Sequence, residues 1–288
     1  MSSAVSVIDL EKAYNGTQAV RGISFEIASG EIFGLLGPNG AGKTTTVEIL
    51  EGYRERDSGS VEVLGVDPAR GDQAWRQRIG VVLQSSAMYQ TLTVAESLSL
   101  FAGYFEHSRD VDEVVRLVGL EEKRDGFVRT LSGGQKRRLD LGLALVGDPD
   151  LLFLDEPTTG FDPQARRRAW ESISSLRSLG KTILLTTHYL DEAEYLCDRV
   201  GVLRDGRFAA IGRPGELTGA LPPSEVRYWE DGQEVVLRTE EPTRVLHELT
   251  AKALAEGREL EGLEVRRPSL EEVYLSLTEE AEAEVEAR

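Results

Sequence analysis

Ile32-Phe-Gly-Leu-Leu36, followed without a break by Gly37-Pro38-Asn39-Gly40-Ala41-Gly42-Lys43-Thr44-Thr45, is the part of the chain from which its architecture can be read. The first five residues are near-continuously apolar, as a strand buried on both faces requires, and Lys43 to Leu50 behind the glycines has helical character. The loop between them satisfies G-x-x-x-x-G-K-[ST], the pattern of a phosphate-binding loop. Its glycines let backbone N–H groups converge on an anion without Cβ interference, and the helix N-terminus adds partial positive charge. In this reading Lys43 reaches the β- and γ-phosphates of a nucleotide, and the Thr44 hydroxyl ligates magnesium. At average residue frequencies the four fixed positions recur in roughly 1% of chains this long, so the strand, loop and helix context outweighs an ordinary glycine turn.

Outward from this loop, residues 5 to 215 alternate short apolar runs with helical stretches, the pattern of an α/β domain with a mostly parallel sheet. Besides Ile32 to Leu36, the runs Ile79 to Leu83, Leu151 to Leu154 and Thr182 to Thr187 read as core strands. Ligands of such sheets bind at the carboxyl ends of the strands. Leu151 to Leu154 delivers Asp155 and Glu156 at that end, because a strand buried on both faces cannot carry a charge internally. Asp155 is the candidate magnesium ligand, through water, and Glu156 the candidate general base for an attacking water. Thr130-Leu-Ser132-Gly133-Gly134-Gln135 precedes a helical run from Lys136 to Val146. Ser132 and Gln135 have capping-box spacing, which a purely structural helix start would explain. Two glycines at the first helical positions weaken a helix, however, and make sense where N–H groups must approach a phosphate closely.

Taken together these motifs resemble the nucleotide-binding subunit of an ABC transporter, over residues 8 to about 212. The resemblance implies a P-loop ABC cassette of the α/β class over residues 1–218, with a mostly parallel core sheet, an antiparallel β subdomain and a helical subdomain at about 88–150. It implies ATP and Mg2+ as cofactors, with Gly37 to Thr45 on the nucleotide and Thr44, Gln84 and Asp155 at the metal. Two copies, or one copy and a paralogous ATPase subunit, would join head to tail, so that Ser132, Gly133, Gly134, Gln135 and Asp162 act on ATP bound to the other subunit. Tyr14 matches the aromatic that stacks on adenine. Gln84 matches the residue linking the site to the membrane partner, and His188 the histidine that holds the γ-phosphate and positions Glu156.

Pro214-Gly215 and Gly219 to Pro223 mark a change of texture, and residues 219–288 read as a small α+β extension. Glu225 to Trp229 and Glu234 to Leu237 flank an Asp231-Gly232 turn, as in a hairpin. Helices are expected over 243–255 and 270–279, a further strand over Leu263 to Arg267, and an acidic, solvated end. Arg267 to Thr278 resembles the C-terminal segment of bacterial exporter ATPases that pair with a separate permease. Thr93 to Leu98 and Phe101 to Tyr104 resemble the same group and should border the groove that receives the permease. Export is therefore expected, with an importer ATPase or a soluble non-transport ABC ATPase as the alternatives.

The composition of the 288 residues agrees with a chain that has a real core: 40% are hydrophobic and 29% charged. Fifty acids against 33 bases, a net charge of −17, argue against nucleic acid as a partner. The single cysteine, Cys197, excludes an internal disulfide framework and fits a reducing cytosol. No run is apolar enough to span a bilayer, and the N-terminus lacks a secretory signal. The expected location is the cytoplasmic face of the cell membrane, held there through the permease. Cys197 reads as a small core residue, His107 and His247 lack partners at metal spacing, and Lys136-Arg137-Arg138 reads as solvated or intersubunit.

Overall fold

Strands that are apolar on both faces belong in the interior of a covered sheet, and the computed structural model of the protein puts Ile32–Leu36, Leu151–Asp155 and Thr182–Thr187 there, whereas Ile79–Val82 forms an edge strand that is half-buried at alternate positions. The structure describes residues 3–83, 88–219, 224–230 and 232–266. These fall into two compact units that divide after Gly212. The first unit runs through β1 (Ser3–Tyr14), β2 (Thr17–Ala28), β3 (Ile32–Leu36), α1 (Lys43–Leu50), β4 (Ser58–Val63), α2 (Gln73–Arg76), β5 (Ile79–Val82) and α3 (Val94–Ala102). It continues through α4 (Val111–Leu117), α5 (Gly133–Leu145), β6 (Leu151–Asp155), α6 (Pro163–Ser175), β7 (Thr182–Thr187), α7 (Leu190–Leu196), β8 (Arg199–Arg204) and β9 (Arg207–Gly212).

The core sheet has the order β5-β6-β7-β3-β8-β9 and is parallel except for β9. Every residue of β3 and β7 is buried. Register brings three strand ends to one level, since Leu36 pairs with Thr187 and Asp155 with Thr186. The residues that follow β3, β6 and β7 must therefore emerge side by side. A second, antiparallel sheet of order β2-β1-β4 encloses a core with the first. Val7, Leu10, Ile23 and Phe25 from this sheet join Phe33, Leu35, Phe153 and Leu184 from the other, together with Val47 and Leu50 of α1. The Phe25 and Phe33 rings stack at 5.5 Å between centroids. Each such side chain contributes about 1.5–3 kcal/mol by leaving water, so the strand that feeds the phosphate loop is fixed from both sides.

Helices α3, α4 and α5 occupy the expected helical subdomain. Thr93 and Glu96 form a reciprocal capping box that starts α3, and Gly142 of α5 lets Leu98 and Val114 approach closely. Two expectations shift here. β5 stops at Val82, one residue before the expected Leu83, which is 53% exposed. Helix α5 starts at Gly133 rather than Lys136, because the Ser132 and Gln135 capping box already closes its first turn.

The second unit contains α8 (Pro214–Gly219), β10 (Ser224–Glu230), β11 (Gln233–Thr239), α9 (Pro242–Ala255) and β12 (Glu261–Arg266). Its antiparallel sheet has the order β11-β10-β12, and α9 packs on β10, with Val226, Tyr228 and Ala253 buried. The division after Gly212 precedes the expected 218/219 boundary, since Pro214 opens a short helix that belongs to this unit. Asp231 of the expected turn, the expected helix 270–279, the segment Arg267 to Thr278 and the acidic end lie outside the described residues.

Candidate nucleotide site

The glycines of the loop after β3 are required by space. Gly42 has φ 103°, and a Cβ there would overlap the Ala19 carbonyl; one at Gly37 would overlap the Leu203 carbonyl. Lys43 is buried, and its Nζ donates to Gly37 O at 2.7 Å and Pro38 O at 3.1 Å. Burial pulls its ammonium below the usual lysine range, while Glu156 and Asp155 oppose that shift. Within the loop Pro38 is exposed and Ala41 buried. Asn39, Gly40, Gly42, Lys43, Thr44 and Thr45 line a cavity of about 290 Å³ that Tyr14, Ala19, Asp155 and Glu156 complete. Tyr14 ends β1, with the Arg54 guanidinium 5.2 Å and the Lys12 ammonium 5.6 Å from its ring centroid. Sequence reasoning separates Tyr14 from the loop by more than twenty positions, and the fold brings them to one cavity.

Asp155 closes β6 and accepts a hydrogen bond from the Thr186 hydroxyl. Glu156 follows with φ 46°, a left-handed conformation held by its N–H donating to Thr186 O at 3.1 Å and Thr186 Oγ1 at 3.0 Å. Its carboxylate is engaged at both oxygens: His188 Nδ1 lies 3.2 Å from Oε1, and the Thr159 hydroxyl donates to Oε2 at 3.1 Å. This arrangement gives a carboxylate oriented for proton abstraction beside a buried lysine that can neutralise phosphate charge. Among the described residues no group of three or more His, Cys, Asp or Glu side chains could hold a metal. The donor set that is present, the Thr44 hydroxyl and the Asp155 carboxylate on one cavity, suits Mg2+, which takes few protein oxygens and completes its shell with phosphate and water. Gln84 lies outside the described residues.

Ser132 and Gln135 cap α5 reciprocally: Gln135 N–H donates to Ser132 Oγ at 3.3 Å, and Ser132 N–H to Gln135 Oε1 at 2.9 Å. Gly133 and Gly134 line a second cavity, about 410 Å³, with Thr159, Gly160 and Phe161. Glu156 borders both cavities, and Lys43 only the first. Asp162 caps α6, its Oδ1 accepting from Gln164 N–H and Ala165 N–H, each at 2.9 Å.

Residues 20–159 match the family described as ABC transporter, and residues 214–269 match the C-terminal domain described as ABC transporter domain-containing protein-like. The Nod factor export ATP-binding protein I of Rhizobium sp. (strain N33) is 41% identical over 302 aligned residues, covering 96% of this chain and 97% of that protein. The chain belongs to the ABC transporter family. It is an ATP-binding subunit and an ATPase. The protein of the same description from Burkholderia orbicola (strain AU 1054) is 49% identical over 73% of this chain and 70% of its own length. Among solved structures, one titled as an ATP-binding subunit of an ABC transporter superposes with a TM-score of 0.71 at 26% identity, covering 96% of this chain and 99% of that one. CbiO1 from Clostridium perfringens, titled as part of the ABC transporter complex cbiONQ, has a TM-score of 0.69 at 30% identity over 76% of this chain and 92% of that one.

Three residues of this ABC ATPase escape the sequence reading. The basic run 136–138 was expected to be solvated or intersubunit, and Arg137 corrects that. Its guanidinium turns inward from α5 and donates to Asp155 O at 2.8 Å, Pro157 O at 3.1 Å, Glu156 O at 3.2 Å and Leu83 O. Burial pulls it below the usual arginine range. It clamps the backbone that carries both acids, whereas Arg138 donates to Gly119 O at an exposed position. Glu51 lines a third cavity, about 430 Å³, with Ile79, Val81, Leu83, Met88 and Phe101. Burial first, then Asp155 and Glu48, push its carboxyl up to about 8. Glu192 is wholly buried on α7. Cys197 is buried as expected.

Proposed function

We propose that this ABC ATPase powers export through a separate membrane permease, with two copies binding MgATP head to tail. The observation that carries export is the match along nearly the whole chain, second unit included, to proteins whose printed name is an export ATP-binding protein. Separation of the two cavities supports the head-to-tail arrangement. Lys43 and the Ser132 to Gln135 segment of one chain do not share a cavity, so a nucleotide touched by both needs a second copy.

Within each site the phosphate loop and Lys43 hold the phosphates, Thr44 and Asp155 hold Mg2+ together with Gln84, and Tyr14 lies against the base. The metal, when bound, neutralises phosphate charge. Glu156 accepts the proton of the attacking water, and His188 fixes its carboxylate. Ser132, Gly133, Gly134, Gln135 and Asp162 face the nucleotide of the other copy. The cavity lined by Ile79, Val81, Met88, Phe101 and Phe105 receives a permease segment, which keeps the chain at the cytoplasmic face of the membrane. No described helix is long and apolar enough to cross a membrane itself. The net charge of −17 weighs against nucleic acid as a partner.

Glu156→Gln tests the chemistry. Its ATP turnover should fall at least 100-fold, the range of a lost general base, while MgATP still drives dimer formation in light scattering. Turnover at the wild-type rate removes Glu156 from the role. Export itself is tested by identifying the permease that co-purifies with the tagged chain and assaying the direction of transport in inverted vesicles; ATP-driven movement toward the ATPase side would overturn it.

A further inference from the structure

Glu192 is an acid with no exposed surface, placed on α7 four residues after His188. A carboxyl so deeply buried is costly unless its surroundings are built for it. Its Oε1 accepts from the Thr158 hydroxyl at 2.8 Å and from the Trp170 indole at 3.0 Å. Burial pushes this carboxyl above the usual glutamate range, against the opposing pull of Thr187, Thr158, Trp170 and Arg166. Thr158 and Thr187 are themselves buried.

The residues these two threonines precede are the ones that grip the catalytic carboxylate. Thr159, next after Thr158, donates to Glu156 Oε2, and His188, next after Thr187, meets Glu156 Oε1. The third partner, Trp170, lies on α6, the helix capped by Asp162. Thus one buried carboxyl ties the segment that follows Glu156 to the helix behind it.

We infer that Glu192 is a positioning residue for hydrolysis, holding Thr158 so that Thr159 keeps the Glu156 carboxylate, which it shares with His188, in its reactive orientation. The inference rests on the roles proposed above for Glu156 and His188. It requires no contact between Glu192 and nucleotide, so its removal should change the rate of the chemical step and leave ATP binding alone.

The test is steady-state ATP hydrolysis by the full chain. Glu192→Ala should lower kcat at least 10-fold with KM within twofold of wild type, and Glu192→Gln, which keeps an oxygen for Thr158 and Trp170, should recover most of the loss. In a His188→Ala background, Glu192→Ala should lower kcat by much less than its factor in the wild-type background, because residues acting as one unit are not additive. Wild-type kcat in Glu192→Ala, or the same factor lost in both backgrounds, overturns the inference. Thr158→Val answers the question if Glu192→Ala does not fold: it cuts only the link to Thr159 and should reproduce the loss of kcat at constant KM. Trp170→Phe, which removes a donor remote from Glu156, should keep kcat within twofold; a 10-fold drop there would mean that any disturbance of Glu192 slows the enzyme, and would overturn the specific route. Wild-type turnover by His188→Ala alone would instead overturn the Glu156 and His188 pairing, and the inference with it.

Discussion

Glu51 holds its proton far above the ordinary carboxylate range. Its folded carboxyl titrates at about 8 against 4.5 for a free one, from burial and from the nearby Asp155 and Glu48 charges. The folded state therefore keeps this proton to higher pH than the unfolded state. The associated stability is fully present below about pH 4.5 and is lost as pH rises through about 8. At ~1.4 kcal/mol per unit the loss is at most about 5 kcal/mol. Glu51→Gln stays neutral throughout, so its Tm should match wild type near pH 5 and exceed it near pH 9. Equal Tm differences at both pH values would show that the carboxyl ionises without penalty. Neither Glu51 nor Glu192 announces this in the sequence, because an acid at a helical position reads as solvent-facing until the packing around it is known.

At the scale of elements, the strands that matter were legible. Ile32 to Leu36 and Thr182 to Thr187 are apolar or small throughout, and the fold buries them at every position. Their common direction places the phosphate loop, Asp155, Glu156 and His188 at one edge, so the fold brings together there residues that lie far apart in sequence. The direction of Arg137 was not legible: three consecutive basic residues on α5 point to three sides, and only tertiary contact selects the one that turns inward. That contact predicts a measurable cost. Arg137→Leu leaves the carbonyls of Asp155, Glu156 and Pro157 without this donor, which should destabilise the first unit by about 2–4 kcal/mol. Tm should then fall roughly 5–10 °C in calorimetry. Arg137→Lys should restore little, since an ammonium cannot fork toward several carbonyls at once; full recovery by lysine would reduce the contact to simple charge.

For the whole molecule, charge is unevenly divided. Residues 221 to 288 carry 18 acids and 8 bases, a net −10 of the total −17. An anionic membrane surface repels such a segment, so in the export reading proposed above attachment falls to specific contact with a permease. The second copy of the proposed arrangement is legible in the sequence only through resemblance, because no spacing of residues says what faces the Ser132 to Gln135 segment. Ser132→Arg supplies the test at this scale. A bulky cation at the start of α5 should clash with a facing subunit and abolish MgATP-dependent dimers in size-exclusion chromatography, while a fluorescent ATP analogue still binds the monomer. Normal dimers would contradict the composite site.

Given the base role proposed for Glu156, its left-handed backbone, φ 46°, sets activity against robustness in any selection applied to this protein. An L-residue in that conformation carries a cost of about 1–2 kcal/mol that glycine does not. Glu156→Gly should therefore melt higher than wild type while hydrolysing nothing. A library enriched for heat resistance alone would then drift toward silent cassettes, and only a screen that demands turnover would retain the acid.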